Sequence, residues 1–133
     1  MTHLLDTCIC IFLVRQKLPE IRKRFESYSV GDVGISSITE SELRFGAEKS
    51  ADSVRNHRQL DHLLLTLLVL PYDAGCAMHY GEIREVLERS GTPIGAMDLL
   101  IAAHARELGL TLVTHNTGEF SRVPGLLLED WSL

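Results

Sequence analysis

The sequence predicts an α/β fold, a three-layer α/β/α domain with helices on both faces of a central, mainly parallel sheet of four to five strands. Three observations carry this. Short apolar runs alternate along the chain with longer helical patterns. No tight hairpin dipeptide joins one apolar run to the next, so the strands must run parallel through crossover helices. The chain is 133 residues long and 45% hydrophobic, enough for one core and one domain over residues 1–133.

The elements follow in order. His3-Leu4-Leu5 is a short buried strand ending in Asp6, and Thr7 to Val14 reads as an apolar helix. Pro19 begins a second helix, with Ile21, Phe25 and Tyr28 on one side and a basic face of Arg22, Lys23 and Arg24. Val33 to Ser36 is the second strand, Thr39 to Lys49 a helix, and Ser53 to Leu67 another. A third strand is expected at Leu68 to Pro71. Asp73 caps a long helix to Arg89, which Ser90-Gly91 ends. Gly95 opens a strongly apolar helix through Leu108, closed by Gly109; Thr111 to Thr114 is a fourth strand and Leu126 to Leu128 a fifth, at an edge.

Composition limits the function. The formal charge is −5, which disfavours nucleic acid as a partner unless several acids are gathered in one site and neutralised by cations. Three cysteines, Cys8, Cys10 and Cys76, form no disulfide pattern, and a reduced, cytoplasmic setting is expected. The apolar stretch Cys8 to Val14 lacks the basic leader and cleavage site of a secretory segment. Leu63 to Leu70 is far shorter than the ~20 residues of a membrane helix, so no membrane association is expected.

In an open parallel sheet, chemistry gathers at the carboxyl ends of the strands. Asp6 ends the first strand, Glu42 lies in the first turn after the second, and Asp98 opens the apolar helix before the fourth. Glu119 follows the fourth strand through a short loop. Each acid has a purely structural reading too. Thr39-x-x-Glu42 is also a capping box, Asp98 suits the positive end of a helix, and Glu119 could be a solvated surface acid. Asp6, at the end of a buried strand, is the hardest to explain without a compensating charge. Four hard oxygen donors suit magnesium, which keeps several of its waters and needs only two or three carboxylates.

These residues resemble the PIN-domain toxins of the VapC type. The matching segments are Leu4-Leu5-Asp6-Thr7, Ser36 to Thr39 with Glu42 to Ala47, Ile94-Gly95 with Asp98 to Ala105, and Thr114 with Asn116-Thr117 and Glu119-Phe120. A closing Val123 to Leu126 with Glu129-Asp130-Trp131 fits as well, so the resemblance spans nearly the whole chain. It implies that Asp6, Glu42, Asp98 and Glu119 hold Mg2+ or Mn2+, with Asp6 and Asp98 as principal ligands and Thr7, Cys8, Thr114 and Asn116 in support. It also implies endoribonuclease cleavage by a metal-activated water, with tRNA, and initiator tRNA in its anticodon loop, as the target. A VapB-type antitoxin that wedges a segment into the site and a homodimer are implied as partners. Arg22, Lys23 and Arg24, with Arg15 and Lys17 before them, are the densest basic patches and the expected RNA contacts.

Cys8 departs from the family, whose first motif usually reads Asp-Thr-Asn. A thiol bonds hydrogen weakly and is a poor magnesium ligand, so reduced but not absent activity is expected, and Cys8→Asn should raise it. The alternative is a catalytically degenerate domain that binds RNA or antitoxin. A dehalogenase-like phosphatase needs a second Asp where Cys8 stands, and a nicotinamide fold lacks its glycine fingerprint. Cys8 and Cys10 read as core thiols, His104 as a satisfied core residue, and His115 as a candidate acid or base beside Glu119.

Overall fold

A computed structural model describes residues 1–133. Its five strands are β1 (His3–Leu5), β2 (Val33–Ser36), β3 (Leu68–Leu70), β4 (Thr111–Val113) and β5 (Leu127–Glu129). All pair in parallel, in the order β3-β2-β1-β4-β5. Seven helices connect them: α1 (Thr7–Arg15), α2 (Pro19–Glu26), α3 (Ser37–Glu48), α4 (Ser53–Leu64), α5 (Ala74–Arg89), α6 (Ala96–Leu108) and the single turn α7 (Thr117–Phe120). None is long and apolar enough to cross a membrane. The three-layer parallel architecture is the one the sequence predicts.

Strand alternation divides the core. Leu4 and Leu112 pack with Ile83, Leu87, Ile101 and Phe120 under α5 and α6. Leu5, Ile35 and Val113 face the other way, onto Ile9, Leu13, Leu43, Leu60 and Trp131 from α1, α3, α4 and the chain's end. Each face thus buries its own set of side chains, as a parallel sheet covered twice requires. The leucine-rich stretch is divided too: Leu60, Leu63 and Leu67 are core, whereas Leu65 and Leu68 are exposed.

Several boundaries differ from expectation for local reasons. The helix after β2 begins at Ser37, because the Ser36 hydroxyl accepts the Ile38 N–H at 3.1 Å and caps it. Thr39 is therefore inside the helix, not its cap; the expected capping box does not form, and Glu42 falls in the second turn. The Thr39 hydroxyl is buried without a hydrogen-bond partner. α4 stops at Leu64, three residues early, where the Thr66 hydroxyl turns back to the Leu63 carbonyl. Asp73 and Gly109 act as expected: Asp73 accepts the Cys76 N–H at 3.2 Å, and Gly109 ends α6 at φ +67°, in the left-handed region glycine favours.

The strand order reverses at β1. From there the chain runs outward to β2 and β3, then returns across to β4 on the other side. The crevice at such a reversal, at the carboxyl edge, is where open α/β sheets place ligands. Asp6 and Thr114, directly after β1 and β4, flank it.

Candidate active site

Asp6 is not the last strand residue but the N-cap of α1, and it is 4% exposed. Its Oδ1 accepts from the Ile9 N–H at 3.0 Å and from the Cys8 thiol at 3.0 Å; its Oδ2 accepts from the Thr114 hydroxyl. The carboxyl is fixed on three sides. Burial still raises its pKa, because desolvation outweighs the three donors and the Glu42 charge adds to it.

The Thr114 hydroxyl that donates to Asp6 accepts in turn from the Asn116 N–H at 2.9 Å. The Asn116 side-chain amide donates to Glu119 Oε2 at 2.8 Å, and the Gly95 N–H donates to Glu119 Oε1 at 2.7 Å. Glu119 therefore stands on the helical turn α7 with both oxygens held, not in a loose loop. Those two donors, the backbone N–H first, draw its pKa down. On the opposite side the Thr7 hydroxyl donates to Glu42 Oε1 at 2.6 Å.

Asp98, in the first turn of α6, accepts no hydrogen bond from the protein and is half-buried. A Cβ on Gly95 would stand 3.6 Å from Asp98 Oδ2 and 3.7 Å from Glu119 Oε1, so the two carboxylates flank one point at the helix start. Burial first, then the charges of Glu119, Asp6 and Glu42, push the Asp98 pKa up to about 6. All three other predicted acids thus act on Asp98 electrostatically. The site gathers them.

The donor set consists of hard carboxylate oxygens and hydroxyls, which suits Mg2+ or Mn2+. No three His, Cys, Asp or Glu side chains stand in the arrangement of a ready-made metal cage. An unpartnered, half-buried Asp98 facing three like charges is nevertheless a donor set that a cation would relieve. The residues fit a divalent metal.

The supporting residues sort themselves. Thr7, Thr114 and Asn116 each orient one of the acids. Cys8 is not simply a core thiol: burial, followed by the Asp6 charge, pushes its pKa up to about 12, so it stays protonated and donates to Asp6. Cys10 is core. His104 is buried with Nδ1 2.7 Å from the Ser36 hydroxyl, a satisfied core residue as expected. His115 is a correction. It contacts Ser132 and Asp130, at 3.0 and 3.5 Å, and is engaged away from Glu119.

The basic cluster on α2 is largely engaged internally. Arg22 donates to the Leu13 carbonyl at 2.7 Å, and Arg24 bonds Glu129 at 3.1 Å and lies over the Trp131 ring. Of the three, Lys23 alone is exposed and unpaired. Sequence reasoning missed the role of Gly95, whose N–H holds Glu119. The Ile94-Gly95 pair marked the spot but could not show which group the amide would meet.

Beside Glu42 and Thr7 opens a groove of about 670 Å3 between α1, α3 and α4. Ile11, Val14, Leu43, Phe45 and Leu60 form its apolar walls, with Arg15 and Lys49 among its polar lining.

The chain resembles known proteins over nearly its full length. The PIN domain pattern matches residues 3–126. The chain belongs to the PIN-domain family of VapC-type ribonucleases. It is 48% identical over 132 residues to the tRNA(fMet)-specific endonuclease VapC of Shigella flexneri, covering 99% of both chains. It is 46% identical to the protein of the same name from Salmonella typhimurium, covering 98% of both. Among solved structures, DNA-bound VapBC from Salmonella typhimurium superimposes with a TM-score of 0.93 at 45% identity, covering 98% of each chain. VapBC2 from Rickettsia felis, bound to a DNA fragment from their promoter, gives 0.92 at 38% identity, covering 98% of this chain and 99% of the other.

Proposed function

We propose that this VapC-type protein is a Mg2+- or Mn2+-dependent endoribonuclease toxin that hydrolyses a phosphodiester bond of tRNA, with tRNA(fMet) as its target. The observation that carries the reading is Asp98. It has no protein partner, and its pKa is raised to about 6 by burial and by the charges of Glu119, Asp6 and Glu42. Such an arrangement is costly to fold and useful for holding a cation.

Asp6 and Asp98 are the principal ligands in this reading, with Glu42 and Glu119 completing the set. A bound divalent ion supplies Lewis acidity to the phosphate and to the attacking water. The protein supplies position. Ile9 N–H, Thr114 and Cys8 fix Asp6; Thr7 fixes one oxygen of Glu42 and leaves the other free; Gly95 and Asn116 fix Glu119. Asp98 keeps both oxygens for the ion. The tRNA(fMet) target is supported by the names of the two relatives at 48% and 46% identity.

Complexes named VapBC among the structural neighbours support a VapB-type antitoxin as partner. The groove beside Glu42 suits an antitoxin segment, because it joins exposed apolar walls, such as Phe45 at 66% exposure, to the acidic site. A homodimer is part of the same reading.

The test is purified protein with total tRNA and magnesium, followed by mapping of the new ends. Cleavage of tRNA(fMet) that stops with chelator, returns with Mg2+ or Mn2+, and falls at least ~1000-fold in Asp98→Asn is expected. Intact tRNA(fMet) in the presence of metal would sink the substrate, and cleavage surviving excess chelator would sink the metal. Antitoxin binding with no cleavage of any RNA would mark a degenerate binding module instead.

A further inference from the structure

A second cavity, of about 400 Å3, lies between α1, α2 and α4 and has no acidic residue in its lining. In a chain of net charge −5 that is a notable local excess. Arg22, Arg55, Arg58 and His62 line it, together with the amides of Gln16 and Gln59. Arg55 and Arg58 are three apart on α4, and His62 follows four on, so all three project from one face.

Of the arginines here, Arg22 is engaged, with Glu26 at 3.9 Å and the Leu13 carbonyl at 2.7 Å, but Arg55 and Arg58 are not. Arg24, Arg44, Arg84, Arg89 and Arg106 each pair with a carboxylate. Arg55 and Arg58 are exposed, and neither side chain makes an ion pair or hydrogen bond within the protein; only the Arg55 backbone N–H is engaged, by Asp52. Two guanidinium groups left unpaired on one face present planar forks that match phosphate oxygens. Gln16, which turns the chain out of α1 beside them, holds φ at +54°, a left-handed conformation uncommon for a side chain of its kind.

The cavity is also connected. It shares Val14 and Gln59 with the groove that reaches Thr7 and Glu42, and that groove carries Arg15, a further arginine without a carboxylate partner. A positively lined path therefore leads from the acidic site, along α1, to α4.

We propose that Arg55 and Arg58, with His62 and Gln59 beside them, bind backbone phosphates of the RNA substrate away from the bond that is cut. This rests on the ribonuclease reading above and moves the RNA contact from α2 to α4. Because the four acids repel an approaching polyanion, affinity must come from a separate positive surface. The α4 cavity is that surface, and it contributes to binding and not to the chemical step.

Anisotropy of fluorescently labelled, unfractionated tRNA in chelator, where nothing is cut, tests the site with Arg55→Ala/Arg58→Ala. Its Kd should rise about tenfold, and the slope of log affinity against log salt should shrink by about 1.4, or ~0.7 per lost single-strand contact. Arg55→Lys/Arg58→Lys should recover most of the affinity by restoring charge. Arg84→Ala/Arg89→Ala, removing equal charge from α5, should stay within about twofold. With magnesium, the first variant should raise KM and leave kcat unchanged.

An unchanged Kd and salt slope, while wild type still cuts tRNA, overturns the proposal and leaves the ribonuclease reading standing. Loss of affinity for an antitoxin peptide with RNA binding intact also overturns it, by assigning the cavity to a protein partner. Wild type that binds tRNA through Arg55 and Arg58 but never cuts it supports the site and overturns the ribonuclease reading instead.

Discussion

Asp98 is a carboxylate that the fold would be more stable without. Its folded-state pKa, about 6, lies above the ordinary 3.8, so the folded form holds its proton more tightly than the unfolded one. Stability from this group is full below pH 3.8 and lost as pH rises through 6. At pH 7.5, in chelator, Asp98→Asn should therefore stabilise the protein by about 1 kcal/mol, allowing for solvent screening of a half-buried group. Urea unfolding of both forms checks it, and the advantage should vanish near pH 4. Cys8 shows the opposite economy. Its protonated thiol already donates to Asp6, so the departure from Asp-Thr-Asn weakens a bond without removing it. Cys8→Asn, offering a stronger N–H donor, should raise kcat/KM about fivefold, the equivalent of ~1 kcal/mol; unchanged or lower cleavage would count against that role. The four acids and Cys8 were legible as residues because they stand at predicted strand and helix ends. Their donors were not, since Thr7 meeting Glu42 or Gly95 meeting Glu119 joins groups 35 and 24 positions apart.

At the scale of elements, Ser36 connects the second strand to the site. Its hydroxyl accepts from Ile38 N–H and also hydrogen-bonds His104 Nδ1 at 2.7 Å, which ties the start of α3 to buried α6. Ser36→Ala removes the cap and leaves the imidazole unpartnered, and should cost about 2 kcal/mol in urea unfolding. Burial also lowers the His104 pKa below 6.5. The unfolded chain therefore takes up that proton first, and this contribution is full above pH 6.5 and lost as pH falls through the folded value. The helices and strands were readable from apolar periodicity, Pro19, Asp73, Gly95 and Gly109. The start of α3 was misread because Ser36, Ser37 and Thr39 are all competent caps, and only the tertiary pairing of Ser36 with His104 selects among them. Glu119 was placed in a loop because four residues are too few to show a helical period.

For the whole molecule, the proposed metal site predicts a stability that depends on cations. An ion that binds the folded state alone adds RT ln(1 + [L]/Kd), about 2.7 kcal/mol at one hundred times Kd. Thermal unfolding of wild type should rise by several degrees with Mg2+ or Mn2+, and Asp6→Asn/Asp98→Asn should show no such rise. An equal rise in both would place the ion elsewhere. The net charge of −5, read from sequence as an argument against RNA, is distributed unevenly in space. Acids collect at the carboxyl edge of the sheet, while Arg15, Arg55 and Arg58 remain unpaired along α1 and α4. Composition reports the sum of these charges and not their separation, so the α4 surface could not be seen until the helices were placed.

The chain of bonds from Asp6 through Thr114 and Asn116 to Glu119 also has a meaning in time. Its members lie as far apart in sequence as positions 6 and 119, and Thr114 N–H is itself held at 3.0 Å by the carbonyl of Glu129. The stretch from Asp6 to Glu129 must emerge from the ribosome before these groups can meet. Chains not yet extended past Glu129, however many accumulate, carry scattered acids and no assembled site.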